Sequence, residues 1–145
     1  MATARDLIRN KTVSKIFSVS PDASVSDAIK IMADNNVGAV LVELIADKVQ
    51  GILTERDIIL KLESKGRNVT DTKVSEIMTK KVLFVESSQS IEECMELMNA
   101  KGFRHLPVYE GGDLVGLISI RDVLREVISE QKTMISHLEN YISGF

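Results

Sequence analysis

A chain of 145 residues with 44% hydrophobic and 27% charged side chains can bury a core without disulfides or metal, and has the make-up of a soluble globular protein. Its 18 Lys and Arg against 21 Asp and Glu give a net charge of −3, and only 4% of residues are aromatic, so nucleic-acid binding has no electrostatic footprint. One cysteine excludes an internal disulfide and fits a reducing, cytoplasmic setting; two histidines make no zinc-type cluster, and neither a membrane-length apolar run nor a secretory signal is present.

In chain order, residues 1–14 are polar with a short helical stretch around Asp6, Leu7 and Ile8, and residues 16–19 are extended. Ser20, Pro21 and Asp22 turn the chain into a helix capped by Ser24, with Asp27 three residues on. Val25, Ala28, Ile29 and Met32 mark its buried face, and Asn35 and Asn36 end it. Residues 37–44 read as a strand, 46–48 as a turn, 49–53 as a second strand, and 56 to about 63 as a helix. Residues 66–73, polar and without periodicity, read as a linker.

The order then repeats. A strand at 82–85 leads to a helix capped by Ser90 with Glu93, burying Ile91, Cys94, Met95 and Met98. A strand at 104–109, a turn at Gly111, Gly112 and Asp113, and a strand at 114–118 follow. Cys94 stands where the first copy has Ala28, the place of a buried spacer rather than a nucleophile. The last helix runs from Arg121 to about Tyr141, roughly 30 Å at 1.5 Å per residue. Ile128, Ile135 and Ile142 recur on it every seven residues, with Leu138 between. That stripe outlasts the repeat unit; it either folds back on its own module or, the preferred reading, meets a second copy of the chain.

The repeat is plainest at Gly51-Ile52-Leu53-Thr54-Glu55-Arg56-Asp57, which returns 65 residues later as Gly116-Leu117-Ile118-Ser119-Ile120-Arg121-Asp122. A period this long, present twice, points to two packed copies of one small unit. Each copy sends an aliphatic strand into a helix opened by a hydroxyl-x-x-acid pattern, that of a capping box. One reading stops there, with Arg56 and Arg121 as solvent residues. The other makes each junction an anion site, where unpaired N–H groups and the helix dipole meet a phosphate and the glycine lets something flat approach the backbone. A cap explains the hydroxyl and the acid. It does not explain a basic neighbour in both copies, because positive charge is disfavoured in the first turn of a helix.

Together these features resemble the cystathionine-β-synthase (CBS) domain, and the whole chain resembles a tandem CBS pair, the Bateman module, of the small stand-alone bacterial kind. The resemblance rests on Ser20-Pro21-Asp22 before a Ser-capped helix, on residues 37–42, on Arg104-His105-Leu106-Pro107-Val108 and on the two Gly-led stretches. It covers about residues 7–129, and the tail with Leu138, Glu139, Tyr141, Ile142 and Gly144 is similar too. It implies an α+β, sandwich-like fold of two pseudo-symmetric β-α-β-β-α units packed sheet to sheet. The first unit would span 7–65, the linker 66–73, the second unit 74–129 and a C-terminal helical extension 130–145.

The resemblance further implies an adenine nucleotide (AMP, ADP, ATP or NAD(H)) bound in the cleft between units, no metal, no catalytic cofactor, and a disc-like homodimer. Carried over residue by residue, one site uses Thr54, Arg56 and Asp57, with Thr79 and Val82 against the adenine. The other uses Ser119, Arg121 and Asp122, with Lys11, Thr12 and Ile16. Arg104 and His105 offer basic groups where the first copy has Gly38 and Ala39, so the Ser119 site is expected to bind more tightly. His105 is equally a strand histidine bonded within its own module. Elementary chemistry agrees with the assignment: a carboxylate suits a vicinal diol, while hydroxyl, guanidinium and helix N–H groups suit phosphate.

Three functions follow for testing. The first is a non-catalytic regulatory module that senses adenine nucleotides, hence energy state, and signals to a separate, unidentified partner by conformational change. The second is a structural homodimerisation module with vestigial clefts, or a binder of another adenosyl ligand such as S-adenosylmethionine. The third is an enzyme, against which stands the want of any nucleophile–base–orienter set.

Overall fold

The computed structural model of the chain describes residues 2–11, 15–45 and 48–144; Thr12, Ala46 and Asp47 of the turn expected from sequence, and Phe145 lie outside the described residues. The elements run α1 (Ala4–Arg9), β1 (Ser18–Val19), α2 (Val25–Asn35), β2 (Ala39–Ile45), β3 (Lys48–Thr54), α3 (Glu55–Asp57), α4 (Val74–Ile77), β4 (Val85–Glu86), α5 (Ile91–Lys101), β5 (His105–Glu110), β6 (Asp113–Ser119) and α6 (Ile120–Ser143). After one turn α3 widens into a π turn over Ile58–Leu62 and then tightens into a 3-10 turn over Glu63–Lys65. Two three-stranded mixed sheets, β1-β2-β3 and β4-β5-β6, share one topology. In each, the first strand runs parallel to the second and the second antiparallel to the third. The fold is the expected α+β arrangement of two β-α-β-β-α units.

Local chemistry sets the element ends. The Ser24 hydroxyl accepts from Asp27 N at 3.1 Å to open α2, and Asn36 closes it in the left-handed region at φ 52°. Ser90 and Gly102 do the same for α5. Gly111 and Gly112 both take positive φ, as a tight turn between right-twisted strands requires. The buried stripe of α5 is Ile91, Cys94 and Met98; Met95, expected with them, is one residue off that stripe and 36% exposed.

The compact units cut the chain out of step with the repeat: Lys15–Leu83 form one, and Met1–Ser14 with Phe84–Phe145 form the other. So α4 folds with the first sheet and α1 with the second. Backbone bonding explains both placements. In the first unit Val25 N donates to Thr72 O at 2.9 Å, Val74 N to Ala23 O at 2.9 Å and Ser75 N to Pro21 O at 3.0 Å. In the second, Ile91 N donates to Ala2 O at 3.1 Å, Ala4 N to Gln89 O at 2.9 Å and Arg5 N to Ser87 O at 3.0 Å. The residue two places before each short helix thereby supplies an acceptor, Thr72 O or Ala2 O, for an N–H that the start of α2 or α5 would leave unpaired.

Residues 66–73, read as a linker, belong to the first unit. Asn68 Oδ1 accepts from Thr70 N and Asp71 N in an Asx turn, Thr72 is buried, and Val69 packs on a core of Val19, Val25, Ala28, Met32, Val40, Val42, Leu53, Leu62, Val74 and Ile77. The second unit buries Ala4, Leu7, Val85, Leu106, Val108, Ile118 and Val123 besides the α5 stripe. From residue 129 to 144 every side chain of α6 and its cap is exposed, so the long helix does not fold back. Among the described residues no helix is long and apolar enough to cross a membrane.

Candidate functional site

Both Gly-led strands end in a completed capping box. At the end of β3, Asp57 N donates to Thr54 Oγ1 at 3.1 Å and Thr54 N donates to Asp57 Oδ2 at 3.1 Å. At the end of β6, Asp122 N donates to Ser119 Oγ at 3.2 Å and Ser119 N donates to Asp122 Oδ2 at 2.8 Å. The Ser119 hydroxyl proton also points to Asp122 Oδ2, at 3.1 Å. Both aspartates are under 10% exposed. The capping reading therefore holds in both copies, and any ligand must use what the caps leave over.

What they leave differs. In the first unit Asp57 Oδ1 already accepts from the Thr79 hydroxyl at 3.0 Å and the Lys61 ammonium at 3.0 Å. Lys61 also donates to Ile77 O at 3.2 Å. Arg56 is exposed and Val82 half-buried. In the second unit the Lys11 ammonium joins Oδ2 of Asp122 at 3.1 Å and donates to Leu117 O at 2.8 Å. Among the described residues Asp122 Oδ1 has only Arg125, at 3.8 Å, a distance too long for a hydrogen bond. A carboxylate offers about four lone-pair sites; three donors reach each aspartate, but those on Asp122 all crowd Oδ2 and leave Oδ1 open toward solvent, whereas those on Asp57 occupy both oxygens.

His105 lies directly across the β5–β6 pair from Ser119. Its Nδ1 is buried and finds no hydrogen-bond partner among the described residues, an uncommon state for a buried polar atom. Burial, with Lys11 next, pushes the imidazole down to a pKa of about 4, against the opposing pull of Asp122. Arg104 and Arg121 add to the downward push, and both are exposed. His105 is therefore a neutral imidazole at pH 7, able to accept or donate one hydrogen bond, and not the cation that its place beside Arg104 suggested.

Of the residues predicted from sequence, the fold brings Thr54, Asp57 and Thr79 together in the first unit, and Lys11, His105, Ser119 and Asp122 in the second. Ile16 folds with residues 15–83. Sequence reasoning missed Lys61 and Arg125, although their spacing of four and three residues from the aspartates on a helix was the available signal. The glycines serve differently than expected. A Cβ on Gly51 would meet Met78 Sδ at 2.7 Å and Thr79 O at 2.9 Å, and one on Gly116 would meet Ile8 Cδ1 at 2.6 Å. The close approach belongs to the chain's own segments. Cys94 is fully buried, which raises its thiol to about 11 and leaves it unreactive. Among the described residues no group of three or more His, Cys, Asp or Glu could hold a metal ion.

The family model for the CBS domain matches this chain twice, over residues 4–64 and 74–129. The mitochondrial CBS domain-containing protein CBSX3 of Arabidopsis thaliana is 35% identical over 149 residues, covering 98% of this chain and 72% of its own. The solved structure of a CBS-domain protein from Burkholderia ambifaria is 45% identical with a TM-score of 0.84, over 90% of this chain and 96% of that one. A more distant structure, CBSX2 in complex with AMP, shares the fold at 24% identity and a TM-score of 0.68, over 90% and 99% of the two chains.

Proposed function

The chain belongs to the CBS-domain family, and from that premise we propose that it is a non-catalytic regulatory module that binds an adenine nucleotide at the Ser119–Asp122 junction. One observation carries the choice of junction. Among the described residues Asp122 keeps an oxygen with no donor nearer than 3.8 Å, beside a His105 Nδ1 without a partner, whereas both oxygens of Asp57 hold donors within 3.1 Å. One hydroxyl of a ribose diol would take Asp122 Oδ1, and the other would compete with Lys11 for Oδ2. The nucleotide's phosphate would face Arg121, Arg104 and the Ser119 hydroxyl, which must first turn its proton away from Asp122. The AMP held by CBSX2 supports this ligand class. AMP, ADP, ATP and NAD(H) all present the same adenosine and phosphate. S-adenosylmethionine fits less well, because its sulfonium would enter a junction already surrounded by Lys11, Arg104, Arg121 and Arg125.

The first junction, with Thr54, Arg56, Asp57, Thr79 and Val82, binds more weakly or stays empty. The signal passes to a partner protein in the cytoplasm, and the chain acts as a homodimer. Titration calorimetry with AMP, ATP and NADH tests the reading: one dominant site per chain is expected, weakened by at least about tenfold in Asp122→Ala and little changed in Asp57→Ala. Loss of the signal in Asp57→Ala alone would reverse the assignment. The completed caps favour a second reading, a homodimerisation module with unused junctions, for which no nucleotide would give heat.

A further inference from the structure

Both aspartates that close the caps also carry a lysine ammonium, at 3.1 Å for Lys11 on Asp122 and 3.0 Å for Lys61 on Asp57. The two lysines are not repeat equivalents. Lys61 lies four residues after its aspartate, and the matching position in the second copy is Glu126, which accepts from Asn10 at 3.3 Å. Lys11 comes instead from the segment after α1. Descent from a common unit therefore does not explain the shared arrangement. Nor does the bare need to satisfy Asp122, whose Oδ2 already takes the N–H and the hydroxyl of Ser119.

Resting on the reading of the Ser119–Asp122 junction as a nucleotide site, we infer that Lys11 is a specificity residue that acts as an internal counter-ligand. Its ammonium holds the carboxylate that the ribose would engage, and gives it up only to a ligand that brings a phosphate to receive it. The side chain is 23% exposed against 7% for Asp122, so the ammonium has an open side from which to leave. A neutral nucleoside whose diol spans both oxygens of Asp122 must break the largely dehydrated Lys11 pair on Oδ2 and leave the ammonium with Leu117 O alone among Arg104, Arg121 and Arg125, all cationic. A phosphorylated nucleoside replaces the lost pair with an ammonium–phosphate contact. The junction thus discriminates against adenosine through a group that need not touch the base.

The test compares AMP with adenosine by calorimetry on the full chain and on Lys11→Met. The ratio of their affinities is expected to fall by about tenfold in the variant, with adenosine gaining, and to recover in Lys11→Arg. A ratio within about twofold of wild type overturns the inference while leaving the nucleotide site standing, because a purely structural lysine would move both affinities together. Wild-type protein that takes up neither ligand overturns the site itself and the inference with it. Circular dichroism checks that the variant folds, and Lys11→Gln, which keeps a polar tip, replaces it if it does not.

Discussion

The imidazole of His105 couples the candidate site to pH. Its folded pKa of about 4 lies below the ordinary value of 6.5, with burial as the main cause and Lys11 second. Between those two values the unfolded chain holds one more proton than the folded one, so stability rises with pH across that window. The contribution is complete above about pH 6.5 and is lost as pH falls through about 4, an effect of at most about 3 kcal/mol. The carboxyls of Asp6, Glu76 and Glu110 are also held low, by hydrogen bonds from Thr3, Lys73 and Ser87 respectively. Their stabilisation is lost only below about pH 4. Urea unfolding at pH 7.5 and pH 5 should therefore show a drop in wild type that flattens in His105→Gln. A pH-independent wild type would show that the imidazole stays solvated.

At the scale of the element, each Gly-led strand is crossed closely by a segment of its own unit. Thr79 pairs with Ile52 through two backbone bonds, Ile52 N to Thr79 O at 3.0 Å and Thr79 N to Ile52 O at 2.9 Å. A methyl on Gly51 would press on that carbonyl, which cannot move without breaking the pair. Gly51→Ala is expected to cost about 1–3 kcal/mol by overpacking. The atoms nearest a Cβ on Gly116 all belong to the Ile8 side chain, which has more freedom to shift than a paired backbone carbonyl. Gly116→Ala should cost less, and paired urea titrations of the two variants would show the order; equal losses would mean that Ile8 is as fixed as the Thr79 backbone. The strands were legible to within about three residues because short aliphatic runs between turn signals have few alternatives. The four-residue α4 was not, since so short a helix has no period to read and is held by its backbone bonds to Pro21 and Ala23.

On the scale of the molecule, α6 leaves the second unit with Ile128, Ile135, Leu138 and Ile142 exposed, the last at 77%. Ile at every seventh position with Leu between is the pattern that pairs two helices. Repeat-equivalent positions Ile59 and Leu124 are exposed as well. This surface is the basis for the proposed homodimer. Sedimentation velocity should find wild type dimeric and Ile135→Asp dissociating at least about tenfold more readily, since a buried unpaired charge would sit in the helix seam. An unchanged association state in the variant would place the dimer contact elsewhere.

The sequence by itself determined the two-unit α+β fold and the caps, because hydroxyl-x-x-acid spacing, aliphatic runs and glycine turns act over a few residues. Only the tertiary structure decided that α1 and α4 each fold with the other repeat's sheet, that Lys11 and Lys61 close on the two aspartates, and that His105 is neutral. Those outcomes depend on which distant groups share a buried volume, and on the cost of leaving a charge or an N–H there without a partner.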